Sequence, residues 1–256
     1  MPVQLASINS GSNGNCYYIG NSQAGVLVDA GISCRMTERR MMRMGLPMSR
    51  VQAIFITHEH TDHTRGAEVL SRKYGIPVYI SERTYRQSRM NLEPSLTRWL
   101  VSDAPVSIGG IEVTPFRKSH DASDPHSVTV SVDGVTVGVF TDIGVACDRV
   151  VYYMNQCHAV FLESNYDEGM LDRGRYPLYL KSRIRSDQGH LSNRQALELF
   201  LNHRHPALSL LILSHLSAEN NHPQIVYNLF SANAYGIKVV VASRYEESEI
   251  FNIHTG

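Results

Sequence analysis

The chain has 256 residues, 43% of them hydrophobic, and equal numbers of acidic and basic side chains, giving a formal net charge of zero. That length can bury a large core. The neutral balance excludes global attraction to nucleic acid or anionic membrane, so a polyanion would have to be met by a local groove. No apolar run approaches the ~20 residues of a membrane helix, and Met1-Pro2-Val3-Gln4-Leu5 lacks the build of a signal peptide. Cys16, Cys34, Cys147 and Cys157 are scattered, with no C-x-x-C, as in reduced thiols. A soluble cytoplasmic protein with no membrane partner is expected.

In chain order, β-branched runs predict strands over 3–8, 16–19 and 25–29, then a Met-rich helix over 35–44. Arg35, Arg39, Arg40 and Arg43 are expected on that helix's exposed face. A strand over 53–57 precedes helices over 65–74 and 83–90, with a strand at 77–80 between them. Strands follow over 111–116, 128–132 and 135–141, the last two joined by Asp133-Gly134, a hairpin turn pair. Further strands are expected over 159–163, 209–214 and 238–242, with helices over 193–202 and 225–234. Ser192 with Gln195 reads as a capping box, and Pro223 as a helix start. No linker or repeat interrupts this alternation, so one domain is expected.

The densest chemistry is Thr57-His58-Glu59-His60-Thr61-Asp62-His63, directly after an apolar stretch. His58 and His60 are two apart and point the same way at a strand end. Asp62 and His63 follow where the chain turns and can address a second cation, so two adjacent metal ions are expected. Asp29, His120, Asp142 and His215 each follow an apolar strand. Strand ends at one edge are where a fold gathers a site from distant sequence. His126, His158, His203, His205, His222 and His254 receive no metal role.

The order Asp29, His58-x-His60-x-Asp62-His63, His120, Asp142, His215 resembles the motifs of the metallo-β-lactamase superfamily. The resemblance implies an α+β fold, a four-layer αββα sandwich, with a dinuclear site. It implies His58, His60 and His120 on one metal, Asp62, His63 and His215 on the other, Asp142 bridging, and Asp29 orienting the ligands from behind. Zinc or manganese suits these donors, with iron also possible. Lactamase-type members often carry cysteine at the Asp142 position, which this chain lacks.

Glu163, ending a strand, and His190, before a capped helix, resemble the glutamate and histidine of the ribonuclease Z-like branch. That likeness implies a catalytic set of Asp62, Glu163 and His190, with His190 protonating the leaving oxygen. Four stretches, 10–16, 119–125, 189–193 and 213–221, resemble the YycJ (WalJ) group of small bacterial proteins of this fold. That group implies a 5′-to-3′ exodeoxyribonuclease on double-stranded DNA, a metal-bridging hydroxide as nucleophile and a link to mismatch repair. The chain has no room for the β-CASP insertion of larger nucleases. Lys181, Arg183 and Arg185, in the basic tyrosine-containing stretch 173–185, are candidate phosphate contacts. Ser12 and Asn13 lie in a loop that could offer an anion nest. A thioesterase or lactonase on the same metals, and a non-catalytic regulatory scaffold, are the alternatives.

Overall fold

The protein is described by a computed structural model over residues 2–254. Its first half opens with β1 (Val3–Asn9), β2 (Cys16–Gly20) and β3 (Gly25–Val28), an antiparallel meander buried at nearly every position. Both faces are covered, so the strands are continuous apolar runs rather than alternating ones. Helix α1 (Cys34–Arg43) crosses to β4 (Val51–Phe55), which lies parallel to β3. Helices α2 (Thr61–Thr64) and α3 (Ala67–Tyr74) lead to β5 (Val78–Ile80), and α4 (Glu82–Gln87) to β6 (Thr97–Trp99).

The second half begins with another antiparallel meander, β7 (Val106–Ile108), β8 (Ile111–Arg117), β9 (His126–Val132) and β10 (Val135–Phe140). After α5 (Asp148–Met154), the strand β11 (Ala159–Glu163) lies parallel to β10. Helices α6 (Glu168–Arg173), α7 (Leu178–Arg185) and α8 (Asn193–His203) precede β12 (Leu210–Ser214). Helix α9 (Pro223–Ser231) and β13 (Lys238–Val241) complete that sheet, and β14 (Phe251–Ile253) returns to pair with β1. The two sheets run β14-β1-β2-β3-β4-β5-β6 and β13-β12-β11-β10-β9-β8-β7.

The sheets face one another across a core in which Tyr17 of β2 meets Phe161 of β11, ring centroids 4.8 Å apart. On the outer side of the first sheet, Leu27 and Ile54 pack with Met41 of α1 and Leu70 of α3. Outside the second, Phe140 and Leu211 pack with Val150 of α5, Phe200 of α8 and Phe230 of α9. Fully burying a side chain such as Phe contributes about 1.5–3 kcal/mol. The result is the expected helix–sheet–sheet–helix sandwich. No helix among the described residues is long and apolar enough to cross a membrane.

Local signals hold where they are strong. Asp133 and Gly134 both take positive φ, 48° and 81°, as a tight hairpin requires, and Ser192 and Gln195 form the reciprocal capping box. The sequence missed β6, β7 and β14, three-residue strands too short for alternation to register. It also missed α5, α6 and α7. In α7 only Lys181 and Ile184 are buried, while Leu178 and Tyr179 are exposed, so no apolar stripe marks it. Arg40 corrects the reading of α1 as an exposed basic face. Its buried guanidinium donates to Ile8 O (2.8 Å), Asn9 Oδ1 (2.6 Å) and Tyr245 O (2.5 Å), tying the helix to β1 and the C-terminal segment. Arg43 pairs beside it with Glu247.

Candidate metal centre

Parallel register gathers the strand ends. In the first sheet Val28 lies opposite Phe55, so Asp29 falls beside the segment leading to Thr57 and His58. In the second, Phe140 pairs with Leu162 and Glu163 with Ser214, which sets Asp142, Glu163 and His215 side by side. Asp29, Asp142 and His215 all take left-handed backbone, with φ of 60°, 55° and 55°. Such a conformation is costly for a non-glycine residue and clusters where a site over-determines it.

Backbone contacts clamp the two loops of the first half together. Ala30 N donates to His63 O (2.9 Å), Asn15 N to Asp62 O (2.7 Å) and Gly66 N to Ala30 O (2.7 Å). A Cβ on Gly31 would lie 1.6 Å from the Asp62 carbonyl oxygen, so only glycine permits this approach.

The ring orientations follow from what each neighbour can accept. Asp29 Oδ2 is a carboxylate oxygen 2.7 Å from His63 Nδ1, so that nitrogen carries the proton and donates. His120 Nδ1 donates to Gly189 O (3.0 Å), and His215 Nδ1 to Glu163 Oε1 (3.0 Å). The Thr57 hydroxyl donates to Asp29 and so accepts from His58 Nδ1 at 2.9 Å. Each of these four imidazoles is therefore turned to direct its Nε2 into the centre. His58 Nε2 meets His60 Nδ1 at 3.1 Å, an arrangement that is repulsive unless a proton or cation lies between the lone pairs.

These atoms form linked clusters. His58, His60 and His120 bring ligand atoms within 4.8 Å of one another, as do Asp62, His63 and His215, and Asp142 joins a third group with His58 and His63. Asp142 Oδ2 is 3.3 Å from His63 Nε2, while its Oδ1 is 3.8 Å from His120 Nε2. Burial holds His58 well below the ordinary imidazole range and His120 at about 4. Burial also pushes down on His63 and His215, but Asp142 and its fellow carboxylates outweigh it, lifting His215 to about 10. His58 and His120 are thus disfavoured as cations, whereas His63 and His215 are imidazoles paired with carboxylates. His120 Nε2, Asp142 Oδ2 and His215 Nε2 are buried without a hydrogen-bond partner among the described residues. Leaving each so costs about 1–3 kcal/mol. Imidazole nitrogen and carboxylate oxygen are donors that suit a divalent cation, so the residues fit the metal.

Asp29 accepts from Thr57 N (2.9 Å), the Thr57 hydroxyl and His63 Nδ1. Asp29→Asn keeps one acceptor oxygen and tolerates the left-handed backbone, yet removes the charge and one acceptor. Metal affinity is expected to fall about 10–100-fold, read by competition against a chromogenic chelator.

Glu163 is the hub of the second sheet's contribution. Its buried carboxylate accepts from the backbone N–H of Asp142 (3.1 Å), Ile143 (2.8 Å) and Leu191 (3.1 Å), and from His190 Nδ1 (2.8 Å). Burial opposes its charge, but His190 and His215 hold its pKa down at about 2. His190 has both the fixed Nδ1 contact and an exposed edge, its side chain 17% accessible.

A cavity of about 260 Å³ lies over the centre, with Tyr176, Leu180 and Ile184 forming one wall. Arg183 faces it and pairs with Asp121. Lys181 and Arg185 do not reach it. Lys181 is buried and donates to Asp172 O (2.8 Å), and Arg185 pairs with the Asp172 carboxylate. Residues two apart on a helix fall on different faces, so stretch 173–185 does not form one phosphate surface. Ser12 lines the cavity, but Asn13 turns to Arg244 O (2.8 Å). Within the loop, the N–H groups of Ser10, Gly11, Gly14 and Asn15 are taken by Ser243 O, Asn15 Oδ1, Gly11 O and Asp62 O.

Three further residues belong to the site and carry no sequence signal of their own. The Asn15 amide is 3.1 Å from His63 Nε2 and 3.4 Å from Asp62 Oδ2. Asn165 donates to His215 O (2.9 Å). Lys118, buried, donates to Thr141 O (2.6 Å) and sets a cation against the carboxylates of the centre. Burial lowers its pKa, and Asp142 and Asp29 counter that shift. His126 instead turns its Nδ1 to Asp124 O (2.9 Å), and His222 caps α9.

Two facing mixed sheets with a histidine–carboxylate centre at the ends of their parallel strands define a metallohydrolase of the β-lactamase type. The sequence pattern of the beta-lactamase superfamily domain matches residues 25–215. The chain belongs to the metallo-β-lactamase superfamily, in the group of the YycJ and WalJ proteins. It is 34% identical to the exodeoxyribonuclease YycJ of Bacillus anthracis over 99% of this chain and 95% of that one. To the exodeoxyribonuclease WalJ of Streptococcus pneumoniae it is 32% identical, over 85% and 83% of the two chains. The metallo-β-lactamase fold protein YhfI of Bacillus subtilis superposes with a TM-score of 0.73 at 16% identity, covering 98% of this chain and 100% of that one. The family is one of divalent-metal hydrolases.

Proposed function

We propose that the protein is a dinuclear metal-dependent phosphodiesterase, a 5′-to-3′ exodeoxyribonuclease acting on double-stranded DNA in the cytoplasm, built as one domain. The observation that carries this reading is the Glu163–His190 pair at the rim of the centre. The thiolate leaving from a thioester needs no such acid, whereas the alkoxide leaving from a phosphodiester does. The names of the YycJ and WalJ relatives support the same class of substrate.

His58, His60 and His120 would hold one cation, and Asp62, His63 and His215 a second, with Asp142 between them. Bound divalent ions, zinc or manganese and also iron, supply Lewis acidity toward phosphate oxygens and lower the pKa of water. Asp29, Thr57, Gly189 O and Glu163 keep the imidazoles aimed. His190, steadied through Nδ1, delivers a proton from Nε2 to the leaving oxygen, a contribution of roughly 10²–10⁴-fold. Arg183 is placed to meet a phosphate at the cavity mouth, and Tyr176 and Leu180 limit water there.

The test is degradation of end-labelled duplex DNA, single-stranded DNA and RNA by protein loaded with Mn²⁺ or Zn²⁺, beside chelator-stripped protein. Stepwise release from the 5′ end of the duplex, abolished by stripping, is expected. Internal cuts, or equal turnover of RNA, would overturn the exodeoxyribonuclease assignment.

A further inference from the structure

A second cavity, of about 660 Å³, adjoins the centre and shares His60, Asp62 and Arg183 with the cavity above it. Three arginines from separate elements line it: Arg65 just past α2, Arg89 beyond α4, and Arg183 on α7. Arg183 is steadied by Asp121. The side chains of Arg65 and Arg89 are exposed and have no hydrogen-bond or ion-pair partner among the described residues.

Of the acidic residues lining the groove, Asp62 belongs to the centre, and Glu59 and Glu68 are engaged by other partners. Glu59 accepts from Ser123 N (2.7 Å) and the Ser123 hydroxyl (3.0 Å), and Glu68 accepts from Asn91 N (3.0 Å) and pairs with Arg72. Elsewhere on the surface Arg86, Arg117 and Arg149 are each matched to a carboxylate. In a chain of zero net charge, unmatched guanidinium groups beside the centre make a local anion-binding groove. Guanidinium binds phosphate oxygens in bidentate fashion, and contacts to phosphate hold a strand without reading its sequence.

We propose that Arg65 and Arg89, continuing from Arg183, form the track that holds the sugar-phosphate backbone of the DNA strand under degradation. The strand leaves the centre on the His60–Asp62 side, along the groove between α2, α4 and α7. This assignment rests on the nuclease reading above and adds the path of the substrate to it.

The test compares the metal-loaded wild-type chain with Arg65→Gln/Arg89→Gln. Binding of a phosphorothioate-protected fluorescent duplex is followed by anisotropy from low to moderate salt, alongside degradation of an ordinary duplex. The double variant is expected to bind about tenfold more weakly or worse, and its log Kd against log salt slope to fall by about 2. Arg65→Lys/Arg89→Lys, which keeps the charges, should recover most of the slope. Arg86→Gln, paired with Glu82 outside the groove, serves as the control and should match wild type. Unchanged affinity and slope in the double variant, with wild type degrading DNA, would overturn the track and leave the nuclease assignment standing. A metal-loaded wild type that neither binds nor degrades DNA would remove both.

Discussion

Replacing His63 with alanine is expected to lower DNA degradation by at least ~10³-fold and to reduce bound metal from two ions per chain to one. His63 is fully buried, its Nδ1 spent on Asp29 and its Nε2 turned toward Asp62 and Asp142. The variant removes the imidazole that faces both carboxylates, and in the proposed dinuclear site a lost cation forfeits several kcal/mol of stabilisation at the transition state. The chain should still fold, because Thr57 continues to satisfy Asp29 through both its backbone N–H and its hydroxyl. Metal content by mass spectrometry, read beside activity and circular dichroism, checks all three expectations. Two bound metals and undiminished degradation would remove His63 from the centre.

His190→Ala is expected to slow DNA cleavage by roughly 10²–10⁴-fold in kcat, while hydrolysis of bis(p-nitrophenyl) phosphate falls only a few-fold. The contrast lies in the leaving group. A nucleoside alkoxide must be protonated as it departs, whereas p-nitrophenolate is stable without a proton. Glu163 holds His190 Nδ1 at 2.8 Å, and the same Glu163 oxygen holds His215 at 3.0 Å. Losing His190 therefore leaves Glu163 bound to His215 and to three backbone amides. An equal loss on both substrates would mean that His190 supports the metal ligands rather than donating the proton. Undiminished DNA cleavage would remove His190 from the proton transfer to the leaving oxygen.

The architecture was readable because its strands are long, buried and apolar. Val3–Asn9, Ala159–Glu163 and Leu210–Ser214 are almost entirely buried, and a strand covered on both faces declares itself as an unbroken hydrophobic run. The short edge strands and α7 carry little buried surface, so they left little imprint on residue choice. Lys181 and Arg185 illustrate the limit. As a linear stretch they look like partners of Arg183, but the helix turns them to Asp172 and leaves Arg183 alone at the cavity.

The sequence by itself determined the first-half cluster, because His58, His60, Asp62 and His63 are neighbours in the chain and their chemistry needs no fold to be seen. It also determined the positions at strand ends where Asp29, His120, Asp142 and His215 stand. Tertiary structure alone decided what surrounds them. Asn15 reaches His63 across 48 residues, Arg40 reaches Asn9 across 31, and Arg65, Arg89 and Arg183 share one groove from three elements. Such partners are matched through space by packing and hydrogen bonding, and a one-dimensional pattern records only what is periodic or adjacent. The identity of the chemistry is therefore local, whereas the tautomer of each imidazole and the path of the strand belong to the folded chain.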